Sequence, residues 1–208
     1  MVEFFQKGGW SMWPLLVSAI VGIVFVIERI VTFAIINKNP KKFVDQLKNV
    51  IEKEGIDAAI QFCAKNPSPF ARILESALTE FQYVGKNKQS IEDAIARASV
   101  VELAFLDRGM PFLTAVITLA PMLGFLGTVS GMVSAFDAIA LAGTVEPKLV
   151  ASGISEALIT TLAGLVIAIP VSAAHTYFST VINGYSRSLE DASNKIIDIL
   201  MSLEIEEA

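Results

Sequence analysis

The chain has 208 residues, of which 53% are apolar and only 18% are charged, with a formal net charge of −5 and a mean hydropathy of +0.59. Soluble domains carry roughly 25% charge, so this composition excludes a disordered chain and argues against an ordinary soluble enzyme. The single Cys63 excludes an internal disulfide framework, the single His175 leaves too few ligands for a His/Cys metal site, and the acidic balance offers no footprint for nucleic acid.

Residues 1–12 form a short lead-in carrying Glu3, Lys7 and Trp10. Residues 13–36 are the first stretch long enough to cross ~30 Å of hydrocarbon at ~1.5 Å per residue. Trp13 to Ile27 is uncharged, and Glu28-Arg29 then interrupts the run. The acidic Glu3 and this charged pair fit poorly with a cleaved signal peptide. Adjacent residues on a helix do not face each other, so Arg29 is expected to snorkel to the headgroups and Glu28 to meet a cation on another helix.

Residues 37–108 read as helical throughout. Val44, Leu47 and Ile51 share one face of a helix over Lys41 to Glu54. Gly55 breaks it, and a second short helix over Ile56 to Lys65 ends at Asn66-Pro67-Ser68-Pro69. A third stripe, Phe70, Ile73, Leu74, Ala77, Leu78 and Phe81, precedes a turn at Gly85-Lys86-Asn87-Lys88. Ser90 is expected to open a fourth helix, with Asp93 at the capping-box offset. That helix either continues into the next span or bends at Gly109-Met110-Pro111. The loop holds no phosphate-binding glycine motif and no nucleophile–base constellation, so neither a nucleotide cofactor nor catalysis is expected.

Span two covers residues 109–136, all uncharged; residues 137–150 form a short loop; span three with its lead-in covers 151–186, uncharged from 157 onward; residues 187–208 are a tail. Eleven of the sixteen Lys and Arg residues fall in 37–108, one in the 137–150 loop and two in the tail. By the positive-inside rule the large loop and the C-terminus are cytoplasmic and the N-terminus and short loop periplasmic. Trp10 and Trp13 suit an interfacial belt at the outer end of span one. The fold class is therefore an all-α membrane protein: three transmembrane helices, with long helices extending into a helical cytoplasmic region.

Spans two and three are patterned with small residues. Pro121, Gly124, Thr128, Gly131 and Ala135 recur at spacings of three and four, with Gly127 beside them. In span three Ser152, Glu156, Thr160, Gly164, Ala168, Ser172 and Thr176 recur at every fourth position, with Gly153, Ala157 and Thr161 alongside. In lipid such residues allow close backbone approach. Pro170 removes a backbone donor and is expected to kink the helix. The stripes can be pure packing, with threonine hydroxyls bonded to their own helix, or a polar path in which Glu156 takes part. Helical spacing sets Thr160 closer to the face of Glu156 than Thr161. His175 is either a proton relay or an interfacial histidine. Spans two and three supply hydroxyls but no carboxylate at mid-depth, so a proton path through them needs a partner that brings an ionisable group.

The strings Ala120-Pro121, Leu123-Gly124-Phe125-Leu126-Gly127-Thr128-Val129 and Gly131-Met132, with Gly153-Ile154-Ser155-Glu156-Ala157-Leu158-Ile159-Thr160-Thr161 and Gly164-Leu165-Val166-Ile167-Ala168-Ile169-Pro170, carry a resemblance. They resemble the ExbB/TolQ/MotA proton-channel family, and three spans favour its ExbB/TolQ branch over the four-span MotA branch. The resemblance implies a subunit of the bacterial inner membrane that assembles as a homo-pentamer around a dimeric single-span partner of the ExbD/TolR type, which carries the titrating aspartate. It implies use of the proton-motive force to energise outer-membrane or envelope processes such as nutrient import, with a TonB/TolA-type transducer as a further partner. It places Thr128, Thr161 and Glu156 on the proton path, with Thr160 as an additional candidate. It leaves Pro121, Gly124, Gly127, Gly131, Gly164 and Pro170 to helix packing. The competing expectation is a passive membrane scaffold that conducts no ions.

Overall fold

A computed structural model describes residues 2–35, 40–66, 68–145 and 147–202. Among these residues every regular element is helical: α1 (Val2–Lys7), α2 (Met12–Ile35), α3 (Pro40–Glu54), α4 (Ile56–Ala64), α5 (Pro69–Val84), α6 (Lys88–Asp107), α7 (Met110–Ala142) and α8 (Pro147–Ser202). Three helices are long and apolar enough to cross a membrane: Met12–Ala34, Met110–Ala142 and Val150–Ser202. At ~1.5 Å per residue, α7 and α8 are each longer than the ~30 Å hydrocarbon layer. α7 runs to Ala142 and α8 starts at Pro147, so much of the expected 137–150 loop is helix. The chain divides into two compact units: Met1–Ile30 with Gly109–Phe178, and Val31–Arg108 with Ser179–Ala208.

In the first unit α2, α7 and α8 run up, down and up. The glycine contacts fix the order. Gly22 approaches Val171 and Val116, Gly124 approaches Gly164 and Thr161, and Gly131 approaches Gly153 and Ala157. Stacked Phe25 and Phe112 rings, 4.2 Å between centroids, hold α2 against α7. The inward side of α7 is Met110, Leu113, Val116, Ala120, Gly124, Gly127, Gly131 and Ala135. These positions repeat at three and four, a helix-packing period, and the glycines let backbones meet. Leu119, Met122, Phe125, Val129, Val133 and Phe136 on the other side are largely exposed, an apolar surface suited to a surrounding without water. α6 and α7 are separate helices: Arg108 and Gly109 break the run, and Pro111 sits in the first turn of α7, where its missing N–H costs nothing.

The second unit has an ordinary dry core. Leu47, Ile73, Leu74, Leu78, Ile91, Ile196 and Leu200, from α3, α5, α6 and the last turns of α8, have no exposed surface. The expected stripes on α3 and α5 are the buried faces: Val44, Leu47 and Ile51, and Phe70 through Phe81. Ser68 caps α5 by accepting from the Ala71 N–H at 3.1 Å. The start of α6 differs from expectation. Asn87, not Ser90, is the N-cap, and its side-chain oxygen accepts from the Ser90 N–H at 3.2 Å. Asn is as good a cap as Ser, and its use lets α6 begin at Lys88. Asp93 accepts from Gln89 Nε2 instead of closing a capping box. Glu102, nearly buried on α6, pairs with Arg72 of α5 at 3.1 Å.

Candidate functional site

The candidate residues divide by level along α7 and α8. At mid-depth, Gly124 and Gly127 of α7 meet Thr160, Thr161 and Gly164 of α8. A Cβ on Gly124 would stand 2.8 Å from the Thr160 carbonyl oxygen and 3.1 Å from Thr161 Cα. A Cβ on Gly164 would stand 2.5 Å from the Ala120 carbonyl oxygen. Gly127 leaves room for the Thr160 side chain, and Gly131 for Ala157. A Cβ at any of these four glycines would meet atoms of the opposing helix. Pro121 lies half-buried at the seam's edge, and Pro170 lies on the exposed side of α8, inside a helix that continues through it.

The three threonines have different surroundings. Thr160 is fully buried, and its hydroxyl donates to the Ala157 carbonyl at 2.8 Å. Thr161 is half-buried and donates across the helix pair to the Gly124 carbonyl at a long 3.4 Å. Thr128 is half-buried and donates to the Phe125 carbonyl at 2.6 Å. Each hydroxyl spends its single proton on a backbone oxygen, leaving its own oxygen as an acceptor. Thr161 and Thr128 keep theirs partly open, whereas that of Thr160 is sealed between helices.

Glu156 lies one turn further along α8, ~6 Å from Thr160 by helix rise. Here the N-terminal segment enters, a contribution that sequence reasoning missed. α1 and the turn after it fold back over the ends of α7 and α8. Gly9, at φ 65°, lies against the Glu156 carboxylate, and Gly8 against Ile159. Trp10 Nε1 donates to Ser130 Oγ at 3.1 Å. Lys7 and Glu156 line one cleft of about 330 Å³ together with Ser134, Ser152, Ser155 and the small residues between them. The one sequence signal for this was Gly8-Gly9 directly ahead of the span, where a left-handed turn is free of the Cβ penalty.

At the opposite end, the structure reverses the expectation for Glu28 and Arg29. Arg29 does not snorkel: it is 1% exposed. Its Nε and Nη2 donate to the two carboxylate oxygens of Glu28 at 2.6 and 2.5 Å. Neighbouring residues pair here because both side chains are long and Gly109 leaves space beside them. A Cβ on Gly109 would meet Arg29 Nε at 2.8 Å and Glu28 Oε2 at 3.1 Å. A buried guanidinium requires a carboxylate at hand. Among the described residues no group of three His, Cys, Asp or Glu side chains could hold a metal ion.

The arrangement is one of close-packed glycines with two half-open hydroxyls, between Glu156 at one end and the Glu28–Arg29 pair at the other. The family model described as "MotA/TolQ/ExbB proton channel family" matches residues 65–191. The chain is 30% identical over 180 residues to an ExbB homolog of Methanothermobacter thermautotrophicus, covering 86% of this chain and 63% of that protein. It is 27% identical to the biopolymer transport protein ExbB of Salmonella typhimurium, covering 95% and 87%. To the Tol-Pal system protein TolQ of Pseudomonas aeruginosa it is 28% identical, covering 81% and 83%. The chain spans less than two thirds of the length of the Methanothermobacter relative. It belongs to the MotA/TolQ/ExbB proton channel family, in the ExbB/TolQ branch, and is a multi-pass membrane protein.

Proposed function

We propose that this chain is the channel-forming subunit of an inner-membrane motor that uses the proton-motive force. Several copies, five by family resemblance, surround the span of an ExbD/TolR-type partner whose carboxylate carries the proton. A TonB/TolA-type transducer then conveys the work to outer-membrane or envelope processes such as nutrient import. The N-terminus is periplasmic and the unit built on Val31–Arg108 cytoplasmic, in keeping with the Lys and Arg distribution.

One observation carries this reading. Between Glu156 and His175, α8 has no ionisable side chain, yet Thr161 holds a half-open hydroxyl at mid-depth, bonded across to α7. A path there offers hydrogen bonds but no proton carrier, so the carrier comes from another chain. Thr128 and Thr161 order water beside that carboxylate, Glu156 and its cleft form the outer mouth, and Thr160 serves packing. A passive scaffold would need the glycine seam but neither half-open hydroxyl.

The test is proton flux into vesicles containing the chain co-assembled with its single-span partner. Thr128→Val and Thr161→Val are expected to lower flux by about tenfold or more while native mass measurement shows the same five-copy assembly. Full flux in both variants would leave the scaffold reading standing.

A further inference from the structure

We propose that His175, held by Thr114, is the inner station of the proton route: it takes protons arriving from mid-depth and releases them to the cytoplasm. The inference rests on the motor reading above and adds to it a residue that the threonine-and-glutamate path does not include.

The placement comes first. On α8 His175 lies nineteen positions after Glu156, and every residue between them is non-titratable. At ~1.5 Å per residue this is ~28 Å, close to the ~30 Å hydrocarbon thickness. His175 is therefore the first base on this helix that a proton meets after crossing. It is also fourteen residues beyond Thr161, and Thr114 is fourteen residues before Thr128. The antiparallel pair thus brings Thr114 and His175 to one level, fourteen positions along each helix from Thr128 and Thr161.

The bonding supports the role. A merely interfacial histidine would point into the headgroups. His175 instead is half-buried, with Nε2 3.2 Å from Thr114 Oγ1 of α7. The Thr114 hydroxyl also lies 3.2 Å from the Met110 carbonyl, and its role toward Nε2 follows the tautomer of the ring; either neutral tautomer keeps one ring nitrogen able to take a proton.

Glu28 and Arg29 of α2, which pair with each other, lie at the level of Gly109, five residues (~8 Å) from Thr114 along the chain, and Asp107 and Arg108 directly precede Gly109. On α7 and α8 no charged side chain lies between Thr114 and Asp137 or between His175 and Glu156.

The step balances. The ring takes one proton from water on the membrane side, giving the imidazolium, and releases one proton to water on the cytoplasmic side, which restores the neutral imidazole.

The experiment is proton flux in vesicles holding the complete assembly, with imidazole added separately to each face. His175→Gln is expected to lower flux by about tenfold or more with the assembly mass unchanged. Imidazole on the face bearing the Val31–Arg108 unit should restore most of it, and imidazole on the other face should not. Thr161→Val should be rescued from neither. A His175→Gln variant with unreduced flux overturns the proposal, as does loss without rescue, which marks a structural histidine. If His175→Gln does not assemble, Thr114→Val replaces it: slower flux rescued by imidazole supports the station, and unchanged flux overturns it. Absence of flux in the unaltered assembly overturns the motor reading and this station with it, whereas normal flux insensitive to His175 removes the station alone.

Discussion

Thr160 and Thr161 are adjacent in sequence and differ in what surrounds them: one is enclosed against Gly127, the other shares its hydroxyl with α7. Helical spacing alone favoured Thr160 as the neighbour of Glu156, and only the α7–α8 contact distinguishes the two. Thr160→Val, isosteric and already satisfied within its own helix, is expected to leave flux intact and change stability by about 1 kcal/mol, checked by thermal inactivation of the assembly beside Thr161→Val. Glu28→Gln is a sharper test of burial. It deprives a 1% exposed guanidinium of its carboxylate, a loss that costs about 3–5 kcal/mol when a buried pair is broken. The half-exposed Glu28 side chain puts the expectation near the lower figure, read as a lowered midpoint of thermal unfolding in detergent. Cys63 reports on the second unit. Burial, aided by the charge of Glu75, pushes its thiol from 9.0 up to about 12. The folded state therefore holds the thiol protonated where the unfolded chain would release it. The resulting stabilisation is complete below about pH 9 and is lost as pH rises toward 12. Thiol reagents at pH 8 should accordingly leave Cys63 unmodified in the native protein and react in denaturant.

At the scale of elements, charge-free runs located α2, α7 and α8 because lipid imposes one requirement, about 20 apolar residues, that composition displays directly. The stripes of α3 and α5 were equally legible, since a soluble core needs a face at helical period. Less legible were the features that depend on a second element. The Asn87 cap lost to Ser90 because both residue types cap well and only the turn geometry chooses. The Glu28–Arg29 pair contradicted a rule for side chains standing straight out from a helix, because Gly109 lets both fold sideways. The fold-back of α1 had no periodicity to announce it. The glycine seam gives the element-scale prediction. Gly164→Ala must push apart backbones that leave 2.5 Å for its Cβ, so assembly yield should fall, with a cost of about 1–3 kcal/mol or more from overpacking. Gly184, in the same helix, has nothing within 4 Å of its Cβ position. Gly184→Ala should raise stability by about 0.5–1 kcal/mol through helix propensity. Paired thermal-inactivation curves decide whether the seam or glycine content matters.

For the whole molecule, the surface of α2 states its surroundings: Val17, Ile20, Ile23, Val24, Ile27 and Ile30 are each more than half exposed. Such a band is stable only in hydrocarbon, and the chain should stay in the membrane pellet through alkaline carbonate washing and require detergent for release. Within the first unit the interlock of α7 and α8 carries a mechanical consequence. Gly124, Gly131, Gly153 and Gly164 each seat against two or three residues of the opposing helix, like teeth cut for a single mesh. Sliding one helix past the other by a turn would drive bulky side chains into slots sized for hydrogen. The pair therefore cannot act as a piston. In the proposed motor, whatever displacement a crossing proton produces would then fall outside the α7–α8 seam, where the first unit meets another chain.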